Sequence, residues 1–118
     1  MKAIIQMKLS NWNNIINFCR GNKFKANAYK KKEMKDISMF LMKLPKIEKY
    51  PVKITFKWHI SNTGSDLDNK SCKSILDCLQ NIGKLENDNI NHINEIKYIA
   101  IKDNDDYVEM EIEYNGSD

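Results

Sequence analysis

The sequence predicts an α/β (α+β) fold, with a mixed four-stranded sheet and two main helices in the order β-α-β-α-β-β. Two stretches repeat apolar residues every three or four positions, as amphipathic helices do. Several others alternate apolar and polar residues, as half-buried strands do. The chain has 118 residues, the size of one domain, and no repeat or Pro/Gly linker divides it. Residues 1–118 are therefore predicted to form a single domain.

The first half of the chain predicts a strand, a helix and a second strand. Residues 2–9 are apolar near their centre and are expected to form the first strand. Residues 10–25 are rich in Asn and basic residues and carry no clear pattern. A helix is expected at 27–44, where an apolar stripe recurs and Pro45 ends it. Strict alternation predicts the second strand at 52–60.

A second helix is predicted after a polar connection. Asp68 or Asn69 is expected to cap its first turn by accepting from free backbone N–H groups. Gly83 is placed to end it, because glycine readily adopts the left-handed conformation that follows many helices. The apolar face consists of Cys72, Ile75, Leu76, Leu79 and Ile82.

Two closing strands are predicted at 95–102 and 107–114, joined by a hairpin turn at 103–106. The acidic turn resembles half of a calcium-binding loop, but it lacks the spaced glycine and the bidentate glutamate, so a plain turn is expected. In the last strand the glutamates are expected to face solvent. The residues expected to face the core there are Val108, Met110, Ile112 and Tyr114.

The net charge of +3 conceals a strong split between the two halves. Residues 1–60 hold 14 Lys/Arg and 3 Asp/Glu, a net of +11, whereas residues 61–118 hold 5 Lys and 13 Asp/Glu, a net of −8. The basic half allows a polyanionic partner, and the acidic half allows carboxylate chemistry. The alternative is that the two halves neutralise each other within the fold.

Several classes of protein are disfavoured by composition. No apolar stretch approaches the ~20 residues of a membrane helix, and the N-terminus lacks the pattern of a signal peptide, so a cytoplasmic location is expected. Cys19, Cys72 and Cys78 are odd in number and show no C-x-x-C pairing. A disulfide framework or a structural zinc site is therefore not expected.

Two aspartates precede the second helix. In an extended backbone Asp66 and Asp68 would lie on the same side, and two carboxylates that close repel each other unless a cation lies between them. Such oxygen ligands suit Mg²⁺ or Mn²⁺. A third carboxylate, Glu86 or Asp88, follows the helix. The alternative is an ordinary capping turn before the helix and a solvated loop after it.

Positively charged groups accompany these acids. Lys73, early in the helix, could stabilise charge on a phosphate, although an i,i+4 ion pair with Asp77 is the simpler reading. A basic cluster interleaved with Phe24 and Tyr29 could hold nucleic-acid phosphates, or it could be a solvated helix face. The cluster consists of Arg20, Lys23, Lys25, Lys30, Lys31 and Lys32.

Histidines and methionines receive no chemical role from the sequence. His59 and His92 are isolated and are expected to be surface residues or hydrogen-bonded polar residues. The expected role of Met34, Met39 and Met42 is to fill core space.

The ordered set between residues 66 and 89 resembles the RusA family of Holliday-junction resolvases, particularly its phage-borne members. An isolated D-x-D motif is common, but the ordered set at these spacings is more specific. Ser10–Asn13 and Arg20–Lys25 resemble the family's early motif and basic stretch more weakly. The main match comprises Asp66-Leu67-Asp68-Asn69, Lys73, Ile75-Leu76-Asp77-Cys78-Leu79, Gly83 and Asn87-Asp88-Asn89.

The resemblance implies a homodimeric Mg²⁺-dependent endonuclease, with Mn²⁺ as a substitute, that nicks opposing strands of four-way DNA junctions in a bacterial or phage-infected cell. Glu86 stays an alternative to Asp88, and Lys70 to Lys73. From the residues alone, a non-catalytic basic nucleic-acid-binding module is the alternative function. The catalytic set implied by the resemblance is Asp66, Asp68 and Asp88 as metal ligands with Lys73, while the basic cluster grips the DNA.

Overall fold

A computed structural model describes residues 1–9, 23–62, 64 and 66–116, with the backbone but not the side chains described for 23–30. The α+β class and the predicted order of elements are confirmed by the described residues. A 3₁₀ turn, Leu67–Asn69, precedes the second helix. The main elements are β1 (Lys2–Ile5), α1 (Lys23–Leu41), β2 (Val52–Ile60), α2 (Lys73–Asn81), β3 (Ile93–Lys102) and β4 (Tyr107–Tyr114).

The ends of β1, α1 and β3 differ from the predicted ones. β1 ends at Ile5 rather than at residue 9, and α1 covers Lys23–Leu41 rather than 27–44. β3 begins at Ile93, two residues earlier than predicted, whereas β4 has the predicted limits. Within the described ranges, neither α1 nor α2 is long and apolar enough to cross a membrane.

The strand order in the sheet is β1-β4-β2-β3, which places β2 between the last two strands. β3 runs parallel to β2, while β4 is antiparallel to both β2 and β1. The predicted hairpin between β3 and β4 is therefore wrong, because these strands are not neighbours. Their connection crosses the end of β2, a distance of about 10 Å for two strand spacings. There the Asp103 N–H donates to the Ile60 carbonyl at 3.0 Å.

One face of the sheet is covered by the two helices. On this face Phe56 of β2 lies opposite Met110 of β4, and both side chains are fully buried. Ile37 of α1 and Leu79 of α2 belong to the same core and are also fully buried. The alternation read from the sequence thus identifies the buried face correctly, although Tyr114 at the end of β4 is 45% exposed rather than in the core.

Helix α2 starts later than predicted and ends as predicted. Its N-cap residue is Cys72, and the predicted caps at Asp68 and Asn69 belong to the preceding 3₁₀ turn. Lys70, which follows that turn, is extended and separates it from α2. Lys70 and Ser71 are polar, so continuing the helix through them would bury no further apolar side chain. Gly83 has φ +78°, the left-handed conformation expected after a helix end.

The opposite face of the sheet carries charged side chains, and here the two halves of the chain neutralise each other. Each Lys–carboxylate pair of the described residues joins a lysine from the basic half to an acid from the acidic half. Glu111 belongs to two of these pairs, and the Glu109 carboxylate lies 2.7 Å from the His59 ring. Both glutamates are therefore paired rather than simply solvated. The lysine pairs are Lys2–Glu111 at 3.5 Å, Lys8–Asp106 at 3.6 Å, Lys53–Glu95 at 3.1 Å and Lys57–Glu111 at 3.0 Å.

Candidate functional site

A cleft of about 410 Å³ opens beside the first turn of α2. Its walls come from the connection after β2, from α2 itself, from the loop between α2 and β3, and from β3. Two carboxylates and two lysines therefore share one cleft, although Asp68 and Asp88 stand twenty positions apart. The lining residues are Asp68, Lys70, Ser71, Cys72, Lys73, Leu76, Asp88 and Tyr98.

The two aspartates before α2 are not placed as an extended backbone would place them. Asp66 is extended, with φ −91° and ψ 132°, but Leu67–Asn69 turns into a 3₁₀ helix. The extended geometry that would place the Asp66 and Asp68 side chains on the same side therefore does not continue through Asp68. Asp68 lines the cleft, whereas Asp66 is exposed and is not among the lining residues. Asp66 occupies the N-cap position of the 3₁₀ turn but makes no side-chain capping hydrogen bond.

Asp88 reaches the cleft from the loop between α2 and β3. The Asn87 side-chain oxygen accepts from the N–H groups of Asp88 at 2.7 Å and Asn89 at 3.1 Å, which shapes this loop. Burial raises the pKa of the Cys72 thiol, and the negative charge of Asp88 raises it further. The carboxylate of Asp88 thus acts on the residue that caps α2.

Glu86, the alternative third acid, is directed elsewhere. Its N–H donates to the Tyr50 hydroxyl at 3.0 Å, and its carboxylate lies 3.9 Å from Nε2 of His92. Glu86 is not among the residues that line the cleft. The placement of the two acids therefore favours Asp88 as the partner of Asp68.

The two candidate lysines differ in their surroundings. Burial lowers the pKa of Lys70, the nearby charge of Asp106 opposes this effect, and Lys8 adds to it. Lys70 also lines a smaller cavity together with Lys8 and Asp106. Lys73 is exposed in the first turn of α2, and the ion pairs of the described residues do not include a Lys73–Asp77 pair. Lys73 is thus the lysine more free to act in the cleft.

Tyr98 is a cleft residue that the sequence did not single out. Its hydroxyl accepts from the Cys72 N–H at 2.9 Å, which satisfies a backbone donor at the start of α2. Its ring packs edge-to-face on Phe56 and Trp58, with centroids at 5.8 and 5.4 Å. Burial is the main cause that raises the pKa of Tyr98, so the hydroxyl keeps its proton to a higher pH than an ordinary tyrosine does. A tyrosine at a core-facing strand position needs a hydroxyl partner, and this requirement could have drawn attention to it.

The cleft is lined by carboxylates, a ligand type that magnesium prefers. Within the described ranges, no group of three or more His, Cys, Asp or Glu side chains is arranged to hold a metal ion. Asp68 and Asp88 nevertheless supply two carboxylates to the cleft. Proteins often hold Mg²⁺ through one or two carboxylates, with waters and substrate phosphates completing the octahedron. The three-carboxylate set that includes Asp66 stays a prediction.

The basic cluster lies largely on α1. Lys31 and Lys32 are exposed and take part in none of the ion pairs of the described residues. Lys23, Lys25 and Lys30 also belong to α1. Arg20 lies outside the described residues, as does the early stretch 10–13. The part of the cluster that is described thus remains available to a polyanion.

His59 is a buried, hydrogen-bonded residue outside the cleft. Its side chain is 8% exposed, and its Nδ1 and Nε2 atoms lie 2.9 Å from the Asp103 carboxylate and 2.7 Å from the Glu109 carboxylate. Its ring stacks on Tyr107 with centroids 4.0 Å apart. The role of His59 is therefore to connect β2, β4 and the β3–β4 connection.

No family model matches the chain in a scan of protein families. A search of curated proteins likewise finds no match.

Proposed function

We propose that the chain is a RusA-type metal-dependent endonuclease that acts as a homodimer. Its substrate would be a four-way (Holliday) DNA junction, which it resolves through paired phosphodiester hydrolysis. The supporting observation is the cleft that gathers Asp68, Lys73 and Asp88. These residues belong to the ordered set that resembles the family.

In this proposal the acids of the cleft hold the metal and the lysine acts on the substrate. Asp68 and Asp88 are the main ligands, and Asp66 is the predicted third ligand, although it does not line the cleft. Bound Mg²⁺ would supply an activated water and polarise the scissile phosphate. Lys73 would stabilise the negative charge that builds up on that phosphate in the transition state.

The lysines of α1 provide the grip on DNA in this proposal. Contacts with backbone phosphates fix a protein on DNA without reading its sequence, which suits an enzyme that recognises a branched shape. Lys31 and Lys32 are exposed and not engaged in the ion pairs of the sheet. They are therefore the described residues best suited to this role.

The decisive experiment is incubation of the protein with a synthetic four-way junction and Mg²⁺. We expect paired nicks on opposing strands. Asp68→Asn should reduce nicking at least ~100-fold while leaving junction binding intact, because it removes a metal ligand and a negative charge near the phosphates. Asp77→Asn, on α2 but outside the cleft, is the matched control and should nick as wild type does. Absence of nicking by the wild type, or full activity of Asp68→Asn, would contradict the proposal.

A non-catalytic nucleic-acid-binding module is the second candidate. It is favoured by the absence, within the described ranges, of a group of three metal-binding side chains. This alternative predicts binding to the junction that is equally tight with Mg²⁺ and with EDTA, and a substrate that stays intact. The same incubation therefore distinguishes the two candidates.

A further inference from the structure

The outer edge of β3 is a long strand edge without a partner among the described strands. β3 extends over ten residues and pairs with β2 on one side. No described strand lies on its other side, since β3 ends the order β1-β4-β2-β3. Such an edge presents a row of backbone N–H and C=O groups that can pair with another strand. Ile96 on this edge is 45% exposed.

We propose that this edge pairs antiparallel with the β3 edge of a second copy of the chain, in the register that places Ile96 opposite Ile96 of the second copy. The four-stranded sheet of each copy would then become half of one continuous sheet. A two-fold axis perpendicular to the sheet would pass between the two Ile96 residues. The inference adds an interface to the proposed homodimer and does not depend on catalysis.

The charges on β3 select this register. Residues directly opposite each other in an antiparallel pair lie on the same face of the sheet. With Ile96 on the axis, Glu95 of each copy lies opposite Lys97 of the other. The next same-face register in one direction sets Lys97 against Lys97, and the next in the other direction sets Glu95 against Glu95. Each neighbouring register has one like-charge contact on the axis, whereas the proposed register has two opposite-charge contacts and no like-charge contact.

The exposed apolar residue at the centre of β3 agrees with the same register. Ile96 lies opposite Ile54 of β2 on the helix-covered face, and in this register it meets Ile96 of the second copy. Lys97 takes part in none of the ion pairs of the described residues, whereas Glu95 is held by Lys53 at 3.1 Å. A second copy would therefore give Lys97 its carboxylate partner and place Glu95 between two lysines.

The alternative role for these charges is protection of the edge. Charged side chains on edge strands often prevent pairing between molecules. A guard of this kind works best with charges of one sign, which repel any second copy. Glu95 and Lys97 have opposite signs and stand two residues apart on one face, so a second copy meets complementary charges. A monomer at all concentrations would be the outcome if the charges only protect the edge.

The proposed pairing has a consequence for the cleft. Tyr98 lines the cleft and stands two residues from Ile96, about 7 Å along the strand from the axis. The perpendicular axis preserves the two faces of the sheet, so both clefts would open on the same side of the dimer. Two clefts in this arrangement would face a two-fold symmetric substrate together.

The test measures oligomeric mass rather than nuclease activity. Wild type should be a dimer in sedimentation equilibrium at about 100 μM, because a short strand pair is a small interface with an affinity in the micromolar range. Glu95→Lys and Lys97→Glu should each raise the dissociation constant at least about tenfold, since each sets like charges opposite each other twice. Lys102→Glu, the same charge change outside the paired segment, should leave the dimer intact.

Mixing the two variants provides the register-specific measurement. A Glu95→Lys chain opposite a Lys97→Glu chain restores both opposite-charge contacts, so the mixture should form a heterodimer with about the wild-type affinity, although each variant alone associates at least about tenfold more weakly. A monomeric wild type, or a mixture that stays monomeric, would overturn the inference. A wild type that dimerises in this way but does not nick junctions would keep the inference and overturn the proposed function.

Discussion

At the scale of single residues, two tyrosine hydroxyls hold the two sides of the cleft through the same kind of contact. The Tyr98 hydroxyl accepts from the Cys72 N–H at 2.9 Å, beside Lys73. The Tyr50 hydroxyl accepts from the Glu86 N–H at 3.0 Å, in the loop that carries Asp88. The Tyr98 contact is partly buried and the Tyr50 contact is exposed. Water can therefore replace the Tyr50 hydroxyl more easily than the Tyr98 hydroxyl.

This difference predicts unequal effects of removing each hydroxyl. Tyr98→Phe should lower the free energy of unfolding by about 1–2 kcal/mol, because it leaves a partly buried N–H without its acceptor. Tyr50→Phe should lower it by less than about 0.5 kcal/mol. Urea denaturation of both variants measures the difference. Equal losses would contradict the assignment of Tyr98 as a support of the cleft.

The expectation that three methionines lie in the core was partly wrong, because the local sequence does not show which side of a helix is exposed. Met39 and Met42 were expected in the core but are 70% and 60% exposed, whereas Met34 packs partly buried against it. All three belong to the helical stretch or its end, and only the rotation of α1 against the sheet decides which of them is covered. His59, by contrast, is hydrogen-bonded, which is one of the two environments expected for it.

At the scale of elements, α2 is held by its apolar face against α1 and the sheet. Leu79 on this face is fully buried. Leu79→Ala should lower the free energy of unfolding by about 3 kcal/mol, because it removes buried methyl groups and leaves a cavity. Ile90→Ala is the matched control, since Ile90 is 83% exposed and should change stability by less than about 0.5 kcal/mol. Thermal or urea denaturation compares the two, and a similar cost for both would show that α2 does not pack as described.

The connection between β3 and β4 is anchored by Asp106. Its carboxylate accepts from the Ser61 N–H at 2.7 Å and from the Ser61 hydroxyl at 3.1 Å, and Lys8 lies 3.6 Å away. The hydrogen bond from the Ser61 N–H is the main cause that lowers the pKa of Asp106. The connection that crosses the end of β2 thus depends on an ionised carboxylate.

The lowered pKa of Asp106 predicts a pH-dependent contribution to stability. The contribution is complete above the pKa of the unfolded chain and is lost as the pH falls through the lower pKa of the folded chain. Asp106→Asn should therefore cost about 1 kcal/mol at neutral pH and progressively less under acid conditions. Denaturation curves across this pH range test it, with Asp105→Asn, an exposed neighbour, as control. A cost for Asp106→Asn that does not change with pH would contradict the expectation.

At the scale of the whole molecule, the lysines of the basic half divide into paired and unpaired groups. Lys2, Lys53 and Lys57 of the strands pair with acids of the acidic half across the sheet. Neutralisation between the halves, which composition alone left open, therefore accounts for part of the split. Lys31 and Lys32 on α1 are exposed and stand outside these pairs. A polyanion would meet α1 rather than the charged face of the sheet.

This division predicts which lysines control affinity for DNA. Replacing Lys31 and Lys32 together by Ala should weaken junction binding and reduce the salt dependence of log K by about 2, because each released phosphate contact lowers the slope by about one. Lys2 and Lys53 replaced by Ala form the matched pair, since both are held by carboxylates of the sheet. Binding titrations at several salt concentrations measure the slopes. Equal slopes for the two double variants would contradict the division.

What the sequence determined by itself was the class of fold, the order of elements and the faces that are buried. Local periodicity carries this information, because a 3.6-residue or two-residue repeat reports which side of an element avoids water. β4 has its predicted limits and Gly83 ends α2 for this reason. Periodicity does not show which other helix or strand packs against the apolar face of an element.

Only the tertiary structure decided the strand order and the composition of the cleft. Consecutive strands usually pair, yet β2 enters between β3 and β4, and that choice depends on contacts across the whole sheet. The family resemblance implied Asp66, Asp68 and Asp88 as one set, but the tertiary structure places Asp68 and Asp88 in the lining of one cleft and leaves Asp66 outside that lining. Contacts between residues so far apart along the chain depend on packing energies that no local pattern contains.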